Sequence, residues 1–397
     1  MRDVLTAVDS DRILWPNGDL APGRLLYAGG KIDALLAPGQ AIPGGAILIN
    51  HAGRIVAPGF IDTHIHGGMG HNFMAADAQT GAKIGEYLAA GGVTSCLATT
   101  ASTDSERLIA SIEALSNMRG RLAPNGIELL GIHLEGPFLS PRYRGVHRGE
   151  FLQHPSRKRI DSVLSAGGSS LKLVTLAPEL PGGMAAVRQL VAAGVRVSIG
   201  HSGASDHDAQ EAIGVGVTRV THTFNALPPI HHREPGPLPV LLTDSRTYCE
   251  LVADGRHVVP TMIRFLATVI GPDRVVLVSD GTDVAGLPDG PARRWEGTDV
   301  VLSQGQAVTL AGTMAGSVAR LADMIRVVVN QSGIPLGQAL RMASLNPARS
   351  LGLTDRGQFM PGSQADIVVL DPDFSVHSTI AHGNVAYSVK EGVISEN

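Results

Sequence analysis

The chain is poor in the residues that mark several classes of protein. Only 2 of its 397 residues are cysteine, aromatic residues make up 4%, and the 32 lysines and arginines are fewer than the 36 acids. So few cysteines exclude a disulfide framework and fit a reducing compartment. The formal net charge of −4 excludes the basic surface that a nucleic-acid partner would need.

The sequence also lacks long hydrophobic runs. No apolar segment is long enough to span a membrane, and the N-terminus has no apolar stretch of the kind found in secretory signals. We therefore expect a soluble, cytoplasmic protein with no membrane partner. Glycine, by contrast, is abundant at 48 residues and suits a fold with many tight turns.

The pattern of apolar segments changes twice along the chain. Over residues 58–355, short strand-like runs alternate with amphipathic segments, as in a helix at 80–90 followed by a strand at 93–97. About eight such repeats predict a closed (β/α)8 TIM-type barrel, an α/β fold. Residues 1–57 and 356–397 carry only short strand-like pieces, so we predict that they pair into one small β-sandwich domain. A hairpin is predicted as an insertion near residues 300–310.

Metal-binding side chains follow several of the predicted strands. His64 and His66 come after an apolar run at 55–61, and side chains two apart on a strand point to the same side. Because the C-terminal ends of parallel barrel strands meet at one mouth, we predict a metal site there. The other candidates, each after a further apolar run, are Glu135, His201, His222 and Asp280.

The donors at this predicted site are imidazoles and carboxylates. They suit one or two divalent ions per subunit, with Zn²⁺ preferred and Fe²⁺, Mn²⁺ or Co²⁺ as alternatives. Such an ion lowers the pKa of a bound water toward about 7, and Asp280 would take the proton and pass it to a leaving group. A lone histidine at a strand end is usually an ordinary solvated residue, but five sites in barrel order argue against coincidence. Histidines without this context are predicted to be surface residues, namely His71, His154, His207 and His382.

Several motifs occur in a fixed order along the chain. They are PGFIDTHIHG at 58–67, HLEGPF at 133–138, GHS at 200–202, THTFNAL at 221–227, HREPG at 232–236, ADGRH at 253–257 and LAGT at 310–313. The first resembles the first-strand motif of the amidohydrolase superfamily. The others resemble, within that superfamily, the N-acetylglucosamine-6-phosphate deacetylase family, over about residues 50–370.

The resemblance implies a barrel with a flanking β-domain, metal-dependent amide hydrolysis and a homodimer. Glu135, His201 and His222 match the ligands of the metal common to the family. His64 and His66 match a second metal position that some members keep and others replace. Glu135 would bridge the two ions. Asp280 matches the catalytic acid and base.

The resemblance also implies how a phosphorylated amino sugar would be held. His257 matches a histidine near the scissile carbonyl, and His147 a histidine that contacts the sugar. Asn225 and Ala226 match contacts to phosphate. Arg233 matches a cationic partner of the phosphate that reaches across the dimer interface. Thr313, a further substrate-binding candidate, stands where the family usually has serine.

The implied reaction is hydrolysis of the N-acetyl group of N-acetylglucosamine-6-phosphate to give glucosamine-6-phosphate and acetate. One set of alternatives keeps the fold: a deacetylase for N-acetylgalactosamine-6-phosphate, a cyclic-amide hydrolase or an N-acyl amino acid deacylase. A different class would be a scaffold protein that has lost catalysis. A scaffold protein of this kind would have lost some of the ligand candidates. All of them are present, which argues against this hypothesis.

Overall fold

A barrel of parallel strands forms the centre of the computed structural model, which describes residues 4–122 and 126–389. Each barrel strand pairs with the next one along the chain, and all of these pairs are parallel. The first to eighth barrel strands are Phe60–Ile65, Val93–Thr99, Ile127–Glu135, Leu171–Leu176, Arg196–Ile199, Arg219–Val220, Tyr248–Leu251 and Val275–Leu277.

The barrel closes just beyond its eighth strand. Ile65 pairs in parallel with Gly281, and the amide of Asp280 donates to the carbonyl of His64 at 2.9 Å. The prediction of a TIM-type barrel is confirmed. Closure also brings the chain after the eighth strand beside the end of the first, so side chains from both ends of the barrel sequence share one mouth.

Helices follow the strands and cover the barrel. They are Ala78–Ala89, Ser105–Met118, Arg157–Gly167, Gly183–Ala192, Asp206–Gly214, Leu238–Thr243, Pro260–Ile270, Leu321–Asn330, Leu336–Ala343 and Leu345–Leu351. Short 3₁₀ turns occur at Phe73–Ala75, Pro141–Tyr143, Gly149–Phe151, Gly168–Ser170 and Pro272–Arg274. None of the helices within 4–122 and 126–389 is long and apolar enough to cross a membrane.

The helix Asp206–Gly214 shows why these segments are helical. The Ser205 hydroxyl accepts the amide of Asp208 at 3.1 Å, and the Asp208 carboxylate accepts the amide of Ser205 at 2.9 Å. This capping box satisfies amides that the first helical turn leaves without partners. Ala209, Ala212 and Ile213 recur at helical spacing and are buried, so this stripe faces the barrel.

The two ends of the chain form one small β-domain, and this part of the predicted fold is also confirmed. Its eight strands belong to a single hydrogen-bonded sheet. The strand Ile55–Pro58 pairs antiparallel with Ile367–Leu370 and so joins the N-terminal and C-terminal parts. The other strands are Thr6–Leu14, Leu20–Ala28, Lys31–Leu36, Ile47–Asn50, Val376–Ala381 and Asn384–Ser388. The domain boundaries given above stay a prediction.

The chain passes from the small sheet into the barrel at Gly59. The apolar run at 55–61 is therefore not one strand, because Ile55–Pro58 lies in the small sheet and Phe60–Ile65 in the barrel. A Cβ at Gly59 would lie 2.3 Å from Cγ2 of Thr94, so no larger residue fits at this crossing. As a result His64 lies within the first barrel strand and not beyond it.

The prediction that His382 lies on the surface is wrong. This residue is 9% exposed, and its Nε2 lies 3.1 Å from the Glu128 carboxylate. His382 sits at the contact between the small domain and the start of the third barrel strand, where this carboxylate offers a partner. His154 and His207 are exposed, and His71 is partly buried.

A three-stranded antiparallel sheet follows the eighth barrel strand. Its strands are Gly290–Arg293, Asp299–Ser303 and Gln306–Thr309, and we call it the insertion sheet. Its apolar residues Val300 and Leu302 pack in a cluster that includes Val146, which lies after the third barrel strand. The insertion sheet therefore contacts the loop that carries His147. Two short strand pairs complete the structure, Gly67–Gly68 with His71–Asn72 and Gly120–Leu122 with the third barrel strand.

Candidate metal centre and active site

Glu135 lies at the centre of a cluster of histidines in the barrel mouth. It is the last residue of the third barrel strand and is 2% exposed. Its Oε2 lies 3.2 Å from Nε2 of His66. Its Oε1 lies 3.3 Å from the Nε2 atoms of three further histidines, His64, His201 and His222. The structure thus brings together all the ligand candidates that follow strands in the sequence.

Three residues of the cluster adopt a backbone conformation that side chains other than glycine seldom take. The φ angles of His201, His222 and Asp280 are +47°, +27° and +47°. Such conformations cost free energy and persist where the surrounding structure holds them in place. Each residue lies just after a barrel strand, and the left-handed turn lets it leave the strand direction. Backbone strain at three positions of one cluster indicates that the cluster is a functional site.

Asp280 lies beside both histidines of the first strand. Its Oδ1 is 3.5 Å from the Nε2 atoms of His64 and of His66. Burial raises the pKa of Asp280, but the charge of His64 and the hydrogen bond from His66 outweigh burial and lower it. The carboxyl group is therefore ionised at neutral pH and can accept a proton.

Backbone carbonyls orient two of the histidines. Nδ1 of His201 lies 2.8 Å from the carbonyl of Tyr143, and Nδ1 of His222 lies 3.2 Å from the carbonyl of Asn225. A carbonyl only accepts, so each Nδ1 carries the proton and donates it. In the neutral form of each ring, Nε2 is then the atom left to bind a cation, and both Nε2 atoms lie 3.3 Å from Oε1 of Glu135.

A buried network orients His64. Its Nδ1 lies 3.0 Å from Oε2 of Glu250, whose other oxygen accepts from Nη2 of Arg219 at 2.8 Å. The side chains of all three residues are 0% exposed. Glu250 and Arg219 were missed by the sequence reasoning. The available signal was a charged residue inside each of two short apolar barrel strands, a placement that is rare without a buried partner.

His147 differs from the other histidines in its hydrogen bonding. Its Nε2 lies 3.4 Å from Oε2 of Glu135, while its Nδ1 accepts the amide of Ser102 at 3.4 Å. A neutral His147 therefore carries its proton on Nε2 and acts as a donor. This arrangement suits a residue that donates to an oxygen atom better than one that binds a cation.

The carboxylates in the cluster favour positive charge in the barrel mouth. Burial lowers the pKa of His64, but Glu135 and Asp280 outweigh it and raise the pKa well above its usual value. The pKa of His66 is raised against burial by the same two carboxylates. At His201 the effect of burial is larger than that of Glu135, and the pKa falls to about 4. The raised pKa values of His64 and His66 show that the carboxylates favour a positive charge at these two rings, where a divalent cation would also be favoured.

The donor atoms fit a divalent metal. Nε2 of His64 and Oε1 of Glu135 are buried and have no hydrogen-bond partner in the described part of the chain. Donor atoms of His64, His66 and Asp280 lie within 4.8 Å of one another, as do those of a second set, Glu135, His147 and His201. Buried donors without partners cost free energy unless an ion or ligand binds them. Imidazole and carboxylate donors together suit a borderline cation.

A cavity of about 360 Å³ opens above this cluster. Its size is in the range of small-molecule sites. The candidate substrate-binding residues that line it are His147, Asn225, Ala226, His257 and Thr313. His257 is held by Asp254, whose carboxylate lies 2.6 Å from Nδ1 and also accepts the His257 amide at 2.8 Å. Nδ1 therefore donates, and Nε2 is the atom of His257 left for a ligand.

His64 and Arg233 are the predicted site residues that do not line this cavity: His64 lies beneath it, 3.3 Å from Glu135, whereas Arg233 lies away from the cluster. Arg233 is exposed, and its Nη1 lies 2.8 Å from Nε2 of the neighbouring His232. Within a single chain it does not meet the other candidates. Four charged residues that the sequence did not single out do line the cavity: Arg142 and Arg148 on the loop that carries His147, and Arg294 and Glu296 in the insertion sheet region.

The profile of the amidohydrolase family matches residues 55–395. The chain belongs to the amidohydrolase family. This amidohydrolase is 33% identical over 376 residues to N-acetylgalactosamine-6-phosphate deacetylase of Escherichia coli, covering 94% of this chain and 97% of the relative. It is 36% identical over 352 residues to N-acetylglucosamine-6-phosphate deacetylase of Bos taurus, covering 85% of each.

Solved structures resemble this amidohydrolase over almost its full length. A mutant N-acetyl-D-glucosamine-6-phosphate deacetylase from Mycobacterium smegmatis, in complex with N-acetyl-D-glucosamine-6-phosphate, superposes with a TM-score of 0.90 at 36% identity. The match covers 97% of this chain and 100% of that one. The deacetylase of Thermotoga maritima gives a TM-score of 0.85 at 31% identity, covering 97% and 100%.

Proposed function

We propose that this amidohydrolase hydrolyses the N-acetyl group of N-acetylglucosamine-6-phosphate to give glucosamine-6-phosphate and acetate. The observation that carries the proposal is the Glu135 cluster with Asp280 beside it, at the base of a cavity of about 360 Å³. The relatives and solved structures named for this reaction match over most of the chain and support the same substrate class.

Metal binding would use the histidines around Glu135. We propose that Glu135, His201 and His222 would hold one divalent ion, and that His64 and His66 together with Glu135 would hold a second one. Zinc is the preferred ion for these donors, with Fe²⁺, Mn²⁺ and Co²⁺ as alternatives. When bound, such an ion makes water more acidic and polarises a carbonyl oxygen.

Asp280 and His257 would supply the remaining chemistry. Asp280 is ionised, buried and adjacent to the cluster, so it can accept a proton from water and return it to the amine leaving group. An amine is a poor leaving group unless it is protonated. His257, with Nδ1 fixed on Asp254, offers Nε2 to the acetyl carbonyl at the cavity.

The rest of the cavity would hold the sugar phosphate. We assign His147 to the sugar, Asn225 and Ala226 to the phosphate, and Thr313 to the rim. The exposed position of Arg233 fits a homodimer in which Arg233 of the partner subunit completes the phosphate site. Both cysteines, Cys96 and Cys249, are free and buried, which fits the cytoplasm that we propose as the compartment.

The galacto epimer is the second candidate substrate, because one relative named for N-acetylgalactosamine-6-phosphate matches 94% of this chain. The deciding experiment measures acetate release by metal-loaded protein from both phosphorylated epimers. We expect release from the gluco epimer, and the ratio of the two kcat/KM values shows which one is preferred. Hydrolysis of N-acyl amino acids without release from either sugar phosphate would contradict the proposal.

The number of bound ions gives a test that does not depend on activity. Wild-type protein with excess zinc should bind two ions per chain, because two sets of donors meet at Glu135. Replacing His64→Gln together with His66→Asn should leave one ion, since amides are weak zinc ligands. Metal analysis by mass spectrometry measures this, and His207→Gln, at an exposed histidine, is the matched control. A wild-type content of one ion would contradict a second site.

Metal affinity should rise with pH. The carboxylates of Glu135 and Asp280 raise the pKa values of His64, His66 and His222 against burial and so favour the protonated rings in the protein alone. A cation must displace those protons, so raising the pH from about 6 to 8 should tighten binding. Calorimetric titration in two buffers of different ionisation enthalpy should show proton release at pH 7. Heats independent of the buffer would show that these histidines are already neutral.

A further inference from the structure

An ion pair in the cavity wall has no part in the roles assigned so far. Arg294 and Glu296 both line the cavity and follow the first strand of the insertion sheet. Arg294 is 6% exposed. The side chain of Glu296 is 12% exposed. Charged side chains are seldom buried to this degree without a structural or binding role.

The pair is held in place by neighbours on both sides. Nε of Arg294 lies 3.2 Å from Oε1 of Glu296 and 3.7 Å from Oδ1 of Asp283. The other oxygen of Asp283 accepts the amide of Trp295 at 2.6 Å. The guanidinium of Arg107 stacks on the Trp295 ring at 4.1 Å. The backbone of this segment is therefore anchored between the eighth barrel strand and the helix Ser105–Met118.

The two side chains form an ion pair but leave several of their polar atoms without a hydrogen-bond partner. Nε and Nη1 of Arg294 and Oε2 of Glu296 are buried and have no hydrogen-bond partner within residues 4–122 and 126–389. Unpaired buried donors and acceptors of this kind are costly, and natural proteins keep few of them. An open donor and an open acceptor side by side on a cavity wall indicate a ligand group that can fill both.

The charges around Arg294 indicate which kind of ligand group would bind there. Two carboxylates lie beside the guanidinium of Arg294, Glu296 in the wall and Asp283 behind it, so an anion such as phosphate would meet repulsion at this part of the wall. A hydroxyl group can accept from a guanidinium and donate to a carboxylate at once. The wall is therefore suited to a neutral polyol and not to the phosphate end of a substrate.

We propose that Arg294 and Glu296 bind a ring hydroxyl of the hexosamine and so determine which sugar the enzyme accepts. The inference rests on the proposed function, because it presumes an amino sugar in the cavity. It also gives the insertion sheet a role in substrate choice, since this sheet carries the pair.

The test compares kcat/KM for N-acetylglucosamine-6-phosphate, its galacto epimer and analogues that each lack one ring hydroxyl. In wild-type protein we expect one deoxy analogue to be about 10- to 100-fold poorer, because it leaves the charged pair unpaired. In Glu296→Ala the parent substrate should fall to the level of that analogue, and the penalty for removing the hydroxyl should disappear. The double variant Arg294→Met with Glu296→Ala removes both charges together. It should show the same loss with the parent substrate as Glu296→Ala and the same absence of a penalty for the deoxy analogue.

Arg293→Met is the matched control. Arg293 is adjacent to Arg294, but its side chain is 71% exposed and faces Asp299 at 3.8 Å, so its removal should change no ratio. Variants that lower kcat/KM equally for every sugar, or that keep the wild-type discrimination, would overturn the inference alone. Wild-type protein that releases acetate from neither epimer would overturn the proposed function and this inference with it.

Discussion

Replacing Asp280→Asn is expected to lower turnover by about 10²- to 10⁴-fold, the range typical of general acid and base groups. The carboxylate is ionised and lies 3.5 Å from Nε2 of both His64 and His66, at the base of the cavity. An asparagine of the same shape keeps one oxygen there but cannot accept or return a proton. Steady-state acetate release measures the effect.

Metal analysis and thermal melting are the necessary controls for this variant. Glu135, His201 and His222 remain in Asp280→Asn, so the ion at these residues should stay bound and the fold should be intact. A loss of turnover with that ion retained isolates proton transfer from metal binding. Turnover above about a tenth of the wild-type value would remove Asp280 from the role of proton carrier.

The site could be foreseen from the sequence because barrel topology converts order along the chain into proximity. Glu135, His201, His222 and Asp280 each stand at or just after a strand end, and parallel strands deliver such residues to one mouth. The structure places His201 and His222 3.3 Å from Glu135, and Asp280 3.5 Å from His64, which itself lies 3.3 Å from Glu135. Their roles as ligands and proton carrier remain predictions, whereas the barrel and the small β-domain are confirmed.

What could not be foreseen depends on contacts that no local pattern encodes. The carbonyl of Tyr143 orients His201, but every residue has a carbonyl, and only the loop path selects this one. Glu250 and Arg219 pair across adjacent strands behind His64. Their pairing depends on register between the sixth and seventh strands. His382 was predicted at the surface because its partner, Glu128, lies far away in sequence.

Gly59 shows a second reason why the sequence pattern alone does not predict the whole fold. The apolar pattern over 55–61 correctly indicates extended backbone, but pattern alone does not tell one sheet from another. At the division, the amide of Gly59 donates to the carbonyl of Asp366 and the amide of Phe60 donates to the carbonyl of Gly92, and both partners lie far away in sequence. The insertion sheet shows the same limit, because nothing in its alternating pattern indicates that Arg294 would line the cavity.

Arg233→Ala is expected to lower kcat/KM for the phosphorylated sugar by about 10- to 150-fold, as for the loss of a hydrogen bond between charged groups. The reaction with unphosphorylated N-acetylglucosamine should hardly change, because that substrate offers no phosphate. His232→Gln, the neighbouring position, is the matched control. An equal loss with both sugars would indicate that Arg233 supports the loop and not the phosphate.

Mixing two impaired variants tests whether Arg233 acts across a dimer interface. In a mixed dimer of Asp280→Asn and Arg233→Ala, the second chain keeps Asp280 and receives Arg233 from the partner subunit, so one of the two sites is complete. Random exchange of equal amounts should then restore about a quarter of the wild-type activity, because half of the dimers are mixed. If Arg233 serves its own chain, neither site of a mixed dimer is complete, and activity stays at the sum of the separate variants. Since Arg233 lies outside its own cavity, we expect recovery; its absence, once subunit exchange has been shown by a mass-labelled chain, would contradict sharing.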